Sequence, residues 1–177
     1  MNFKTLYYIF FILFLLGKNA FADEIKIDSS DIKVLDDGNI INASNIKANI
    51  PNKKIEIEGD QSIYDKKNSQ LTIIKNVKFF DNLKNVYLEG EKVIYNKSTD
   101  MLQTFGKTFI RIEDRQWGYS IDLFYDRKLQ KIYTNRETII KDKKQNVFNL
   151  EESFVFDINK EIISAEKTNI IDNSNNE

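Results

Sequence analysis

The side chains best suited to chemistry in this 177-residue chain are carboxylates, and Asp36-Asp37 and Glu151-Glu152 stand as adjacent pairs. Two carboxyl groups flanking one bond are the machinery of glycoside hydrolysis. Neighbours on a strand or turn point apart, however, so neither pair converges on a bond and both read as solvated surface charge. The chain has no His and no Cys. Those absences exclude Ser-His-Asp and Cys-His catalysis, His- or Cys-ligated zinc and imidazole proton transfer, and they leave the fold without disulfides. A G-x-x-x-x-G-K-[ST] phosphate loop is absent as well. Trp117 with Tyr119 has the makings of a sugar-stacking platform, although a half-buried aromatic is the commoner use of such residues. Lys107, Arg111 and Arg115 are candidate phosphate contacts. The residues therefore predict a protein that is not an enzyme and has no cofactor and no metal.

A binding role needs a scaffold, and composition says which kind. With 41% hydrophobic and 30% charged residues the chain has the balance of one globular domain. Its 13 Phe, 8 Tyr and many Ile favour pleated surfaces over helices. Residues 1–22 read as a secretory signal, with Lys4, an apolar run from Leu6 to Leu16, and Ala20-Phe21-Ala22 as the cleavage site. That run is well short of the ~20 residues that span a bilayer as a helix, so cleavage before Asp23 is expected and an uncleaved anchor is not. Removal takes away Lys4 and Lys18 but no carboxylate, which makes the mature chain more acidic than the precursor's net −1. Its cations are interspersed with acids, so nucleic acid is not an expected partner. Residues 23–171 are expected to form the domain, and 172–177 a polar tail.

The most informative pattern is a repeat. Val34, Tyr64, Tyr95, Tyr125 and Phe156 recur at separations of 30, 31, 30 and 31 residues, and seven positions after each comes Ile41, Leu71, Leu102, Ile132 or Ile163. In the first unit Asp37-Gly38 lies midway, and Asp-Gly is a strong signal for a two-residue type I′ hairpin turn. That register sets Val34 opposite Ile41, and the same count pairs Tyr64 with Leu71, Tyr95 with Leu102, Tyr125 with Ile132 and Phe156 with Ile163.

Steps of two along each strand stay on one face. They add Ile32 with Ala43, Ser62 with Ile73, Val93 with Thr104, Leu123 with Thr134, and Phe154 with Ala165, giving a nearly continuous apolar wall. Between the hairpins, Lys53–Glu58 and Phe109–Glu113 alternate as strands with one charged face, and Gly59, Gly90, Gly106 and Gly118 mark junctions or bends. Such hairpins can close as a barrel, stack as a jellyroll or coil as a solenoid of thirty-residue rungs, and the Asp-Gly turn favours antiparallel hairpins. The wall is either a dry core or a lipid-lined groove.

The wording of the repeat resembles the OstA-like lipopolysaccharide-transport family, which includes the bridge protein LptA and the N-terminal domain of LptD. The matching text is Glu58-Gly59-Asp60 through Tyr64-Asp65-Lys66, then Leu71-Thr72 and Asn76-Val77. A second copy runs from Glu89-Gly90-Glu91 through Tyr95-Asn96-Lys97 to Leu102 and Gly106, and a third starts at Tyr125-Asp126-Arg127. The similarity spans roughly Glu24 to Ile171 in spaced positions rather than in one invariant string. It implies an all-β, open antiparallel β-jellyroll of about five hairpin repeats that works in the periplasm. Length favours an LptA-like bridge, whereas the repeat wording is closer to LptD, of which the chain would be a fragment.

The resemblance further implies that lipid A acyl chains lie inside and sugars outside. The groove residues would be Ile32, Val34 and Ile41; Leu71 and Ile73; Val93, Tyr95 and Leu102; Leu123, Tyr125 and Ile132; and Phe154, Phe156 and Ile163. Its implied partners are lipopolysaccharide and other jellyroll domains of the transport path, joined by edge-strand pairing at about Glu24–Val34 and Glu161–Ile171, with outer-membrane association. The reading from another class is a structural or adhesive β-repeat protein without lipid.

Overall fold

The computed structural model describes residues 24–113 and 116–171, so the leader, the tail and Arg115 lie outside the described residues. Alternating β-branched and aromatic residues give strands throughout: β1 (Lys26–Asp28), β2 (Asp31–Leu35), β3 (Ile40–Ile50), β4 (Ile55–Asp65), β5 (Gln70–Asp81), β6 (Val86–Asn96), β7 (Met101–Phe105) and β8 (Lys107–Ile112). The second half continues with β9 (Gln116–Ile121), β10 (Phe124–Asp126), β11 (Lys131–Thr134), β12 (Thr138–Asp142), β13 (Val147–Leu150), β14 (Phe154–Asp157), β15 (Ile162–Ala165) and β16 (Thr168–Ile171). All pairings are antiparallel.

Four long strands, β3 to β6, are shared between two layers. Their halves nearer the repeat turns form a front layer, which continues β7-β10-β11-β14-β15 and is edged by β2. Their other halves form a rear layer, which continues β8-β9-β12-β13-β16 and is edged by β1. The chain crosses between layers along one line. Asn45 has φ 48 there, the β4–β5 register shifts between Glu58 and Gln61, and the β5–β6 register shifts between Ile74 and Val77, where Lys75 and Asn76 have φ 66 and 52. Bulges of this kind bend a strand and re-aim its side chains, so each long strand folds over and presents an apolar face in both layers. Gly118 serves closeness rather than bending, because a Cβ there would run into the backbone carbonyl of Ile139 on β12. The product is an all-β antiparallel jellyroll with one apolar interior shared by both layers.

The hairpin register is as the repeat predicts: Val34 faces Ile41, Tyr64 faces Leu71, Tyr95 faces Leu102, Tyr125 faces Ile132, and Phe156 faces Ile163. The first turn has Asp37 at φ 48, ψ 35 and Gly38 at φ 89, with the Asn39 N–H donating to the Asp36 carbonyl at 2.9 Å. Both central residues thus have the positive φ of a type I′ turn.

The expected two-residue loop is corrected, however: pairing ends at Leu35 opposite Ile40, and Asp36 is itself left-handed at φ 48, so the Asp-Gly bend sits inside a four-residue loop, as long as those of the other four turns. Asp65, Asn96, Asp126 and Asp157 follow the aromatic column, and each side chain accepts the backbone N–H three residues on, at 2.9–3.1 Å. The fourth loop residue, Ser69, Asp100, Gln130 or Glu161, is left-handed with φ 52 to 59. A non-glycine residue there is uncommon, and bonding between turns offsets the strain. The carbonyls of Asn39, Ser69, Asp100 and Gln130 accept the N–H of Lys66, Lys97, Arg127 and Ile158 at 2.8–3.2 Å, so successive turns form a ladder of their own.

Candidate functional site

The groove residues expected from sequence collect on the inner face of the front layer. Leu71, Ile73, Tyr95, Leu102, Leu123, Tyr125, Ile132 and Phe154 are 0% exposed, and Val93 and Phe156 nearly so. Ile41 and Ile163 are half-buried against the same cluster. Ile32 and Val34 differ, at 50% and 57% exposed, because β2 is the terminal strand of its layer and, among the described residues, no strand pairs beyond it.

Sequence reading missed the opposite wall. Ile46, Ala48, Ile50, Ile55, Ile57, Val77, Phe79, Val86, Leu88, Ile110, Ile112, Ile140 and Leu150 are buried on the rear layer and face the first set. The missed signal was a change of parity within single strands. Ile55 and Ile57 are buried in β4 at odd positions, then Ser62 and Tyr64 at even ones, with Gly59-Asp60 between. A seam of hydroxyls runs along the fold line. Thr104 accepts hydrogen bonds from the Thr108 hydroxyl at 2.8 Å and the Leu123 N–H at 2.9 Å, and Ser120 and Thr138 are 2.7 Å apart.

On the opposite flank the turn rows of the two layers meet in a buried ionic cluster. Arg127, its side chain 6% exposed, places Nε 2.7 Å from Asp81 Oδ2 and Nη1 3.0 Å from Asp100 Oδ2. Its Nη2 donates to the Lys53 carbonyl at 3.0 Å, and Lys53 Nζ pairs with Asp100 at 3.2 Å. The aromatic column contributes directly, because the Tyr95 hydroxyl donates to Asp100 at 2.7 Å and the Tyr125 hydroxyl to Asp81 at 2.8 Å. Asp81 also accepts the N–H groups of Leu83 and Lys84, at 3.0 and 3.1 Å.

Lys53 and Asp81 belong to rear turns and Asp100 and Arg127 to front turns, so this cluster latches the layers together. Burial favours a neutral Asp100, but the Tyr95 hydroxyl and the charges of Arg127 and Lys53 outweigh it and hold the carboxyl below the ordinary carboxylate range. Burial also works against the Arg127 charge, and the two carboxylates more than compensate. Burial and the neighbouring Asp81 charge raise the Tyr125 hydroxyl.

The suggested phosphate contacts Lys107 and Arg111 lie away from the apolar interior. Lys107 and Arg111 are exposed on the outer face of the rear layer, over the rings of Tyr119 and Tyr87 at 4.4 and 5.2 Å, and neither faces the interior. They alternate with Thr108, Ile110 and Ile112, which take the inward positions of β8. Trp117 is half-buried on that outer face and Tyr119 is 49% exposed there, in edge contact with Phe109. The expected terminal strands are also corrected. The N-terminal stretch divides at Ser29-Ser30 into β1 in the rear layer and β2 in the front, and the C-terminal stretch divides at Glu166-Lys167 into β15 and β16. Among the described residues there is no cluster of three or more acids that could hold a metal.

No family model matches the chain, and no curated protein matches it. Among solved structures it is similar to LptH, the LptA-homologous periplasmic component of the lipopolysaccharide transport device of Pseudomonas aeruginosa. The TM-score is 0.35 and the identity 9%, over 85% of this chain and 97% of that one. A likeness at that level identifies neither a family nor a function.

Proposed function

We propose that the chain is a periplasmic carrier of lipopolysaccharide, which shelters lipid A acyl chains between its two layers and hands the lipid toward the outer membrane. The observation that carries this reading is the continuity of the interior. One apolar cluster runs from Ile25 and Ile27 at one end to Phe156 and Ile163 at the other, broken only by hydroxyls at the fold line and by Asp81 at the latched flank. Each methylene moved from water into such a space gains about 0.8 kcal/mol, so transfer between like interiors needs no covalent chemistry.

The secretory leader read in residues 1–22 agrees with a periplasmic site of action. Edge strands β2 and β15 of the front layer, and β1 and β16 of the rear, would add to related jellyroll domains and extend the interior, with directional energy supplied by a separate ATPase. The reading covers both an LptA-like bridge and the N-terminal domain of an LptD-like protein. Mass spectrometry of lipid extracted from the protein, purified from a lipopolysaccharide-producing host, should find lipid A. Photo-crosslinkers should capture lipopolysaccharide from the inward position Leu102 and not from its outward neighbour Gln103; capture from Gln103 alone would refute the interior as the lipid site.

A second reading has its own observation. The central rungs are packed to 0% exposure, as a purely structural β-repeat domain would be. Absence of lipid A from the extract together with silence at Leu102 would select it.

A further inference from the structure

The aromatic column is used unequally. Tyr95 and Tyr125 spend their hydroxyls on Asp100 and Asp81 in the latch, whereas the Tyr64 hydroxyl has no hydrogen-bond partner among the described residues, although the ring is only 9% exposed. Tyr64 lies one rung from the N-terminal end of the front layer, where the turns at residues 36–39 and 66–69 make no ion pair to the rear layer among the described residues, whereas the next turn, which carries Lys97 and Asp100, is tied to the rear turn by Lys53. A cavity of about 790 Å³ opens at that end, within the roughly 300–1,000 Å³ typical of small-molecule sites. Tyr64, Ile41 and Ile32 form its front wall, and Ile25 and Ile27 its rear wall.

Lys66 and Lys97 stand on the rim, on consecutive turns of the ladder, and neither ammonium has an ion-pair or hydrogen-bond partner among the described residues. One carboxylate, the exposed Glu24, shares the rim. The cavity thus has an apolar floor continuous with the interior, a free phenol hydroxyl at its inner edge and two free cations above it. That order of chemistries matches a single class of molecule, an acyl chain carrying an anionic head.

We infer that this N-terminal mouth is a binding site for anionic amphiphiles, in which an acyl chain lies between Ile27, Ile32 and Ile41 while Lys66, Lys97 and the Tyr64 hydroxyl hold a phosphate or carboxylate head. The inference rests on the proposed carrier function for its choice of a lipid over other ligands. It adds a defined place where the lipid first engages, distinct from the closed rungs beyond. Beyond the mouth the layers are held by Lys53, which bonds the turn of Lys97 and Asp100, so an acyl chain seated there reaches the closed rungs at Leu71 and Ile73 only when that tie opens.

Calorimetric titration of the purified protein with dodecyl phosphate, below the concentration at which it forms micelles, tests the assignment. Dodecyl phosphate should bind, whereas inorganic phosphate and the neutral dodecyl maltoside should each bind at least tenfold more weakly, since each offers one half of the match. Lys66→Gln and Lys97→Gln should each weaken dodecyl phosphate by about tenfold, the loss of one charge-assisted contact, and Tyr64→Phe by a smaller factor. Lys160→Gln, on the turn at the opposite end, should leave it unchanged. These are surface substitutions or one removed hydroxyl, and unchanged urea midpoints establish that each variant is folded.

Equal affinity of Lys66→Gln, Lys97→Gln and the unaltered protein for dodecyl phosphate would overturn the site, as would inorganic phosphate binding as tightly as the amphiphile. Full occupancy of the mouth by a protein strand would appear as no binding of any amphiphile, and that too overturns it. If lipid A is extracted from the protein while dodecyl phosphate ignores the two lysines, the mouth fails and the carrier reading survives. Lysine-dependent binding with no lipid A in the extract leaves the mouth standing and the carrier reading refuted.

Discussion

Replacing Arg127 by Met keeps an unbranched, flexible side chain and removes the contacts that the guanidinium makes across the latch, leaving the Lys53–Asp100 pair and the Tyr125–Asp81 hydrogen bond. Lost are the 2.7 Å bond to Asp81, the 3.0 Å bonds to both oxygens of Asp100, and the 3.0 Å bond to the Lys53 carbonyl. Asp100 retains Lys53 and the Tyr95 hydroxyl. Asp81 keeps three neutral donors, the Tyr125 hydroxyl and two backbone N–H groups, but its fully buried carboxylate no longer has a cation. Removing one member of a buried ion pair costs about 3–5 kcal/mol, most of it the penalty of the stranded charge. With a urea dependence of about 2 kcal/mol per molar, the unfolding midpoint should fall by roughly 2 M.

The emission of the single Trp, Trp117, reports the transition from the rear layer, away from the substitution. Adding Asp81→Asn removes the stranded charge and keeps an oxygen for the Leu83 and Lys84 N–H groups. The double variant should therefore recover at least about 1 kcal/mol relative to Arg127→Met alone, within the range of coupling energies for contacting residues. A loss below about 1 kcal/mol in the single variant, or no recovery in the double, would refute the view that this cluster clamps the layers.

Three further outcomes are expected. Gly118→Ala forces β9 away from the Ile139 carbonyl on β12 and should cost about 3 kcal/mol or prevent folding, read from the urea midpoint or soluble yield; a near-neutral variant would mean that the two strands are not so close. Because the folded-state carboxyl of Asp100 titrates below its unfolded value, its contribution is complete above the ordinary carboxylate range and is lost as pH falls through the lowered value, so acidification from about pH 6 to about pH 3 should destabilise Asp100→Asn less than the unaltered protein. Proline at Ile163 in β15 or at Ile170 in β16 removes a backbone donor from the C-terminal edges and should weaken association with a related jellyroll domain while lipid binding by the single domain persists; unchanged association constants in analytical ultracentrifugation would exclude those edges as the contact.

How far the architecture was legible depended on whether a feature repeated. The aromatic and aliphatic columns recur in every unit, so Tyr95 opposite Leu102 and Phe156 opposite Ile163 follow from counting, and the Asp-Gly pair pins the first turn. The rear wall was hidden because strands such as β4 and β6 change parity at their bulges, at Gly59-Asp60 in one and near Gly90 in the other. A period-two reading anchored on the hairpin turns loses phase at such points. The latch left no local trace at all: Lys53, Asp81, Asp100 and Arg127 occupy four separate turns, and only the folding of the long strands brings them within hydrogen-bond distance.

The ladder of turns bears on how a chain of this kind can change length. Each turn from Ser69 onward offers its successor the same left-handed carbonyl, and each receives its predecessor through the same first-position N–H. A unit therefore meets its neighbours through nearly identical joints, as in solenoid arrays whose stability is a sum over adjacent pairs. Gain or loss of one whole unit of about thirty residues preserves every joint, whereas an insertion of a few residues breaks the phase of both layers at once. Lineages descended from such a chain would vary in whole rungs, and the span of the interior would be inherited in discrete steps.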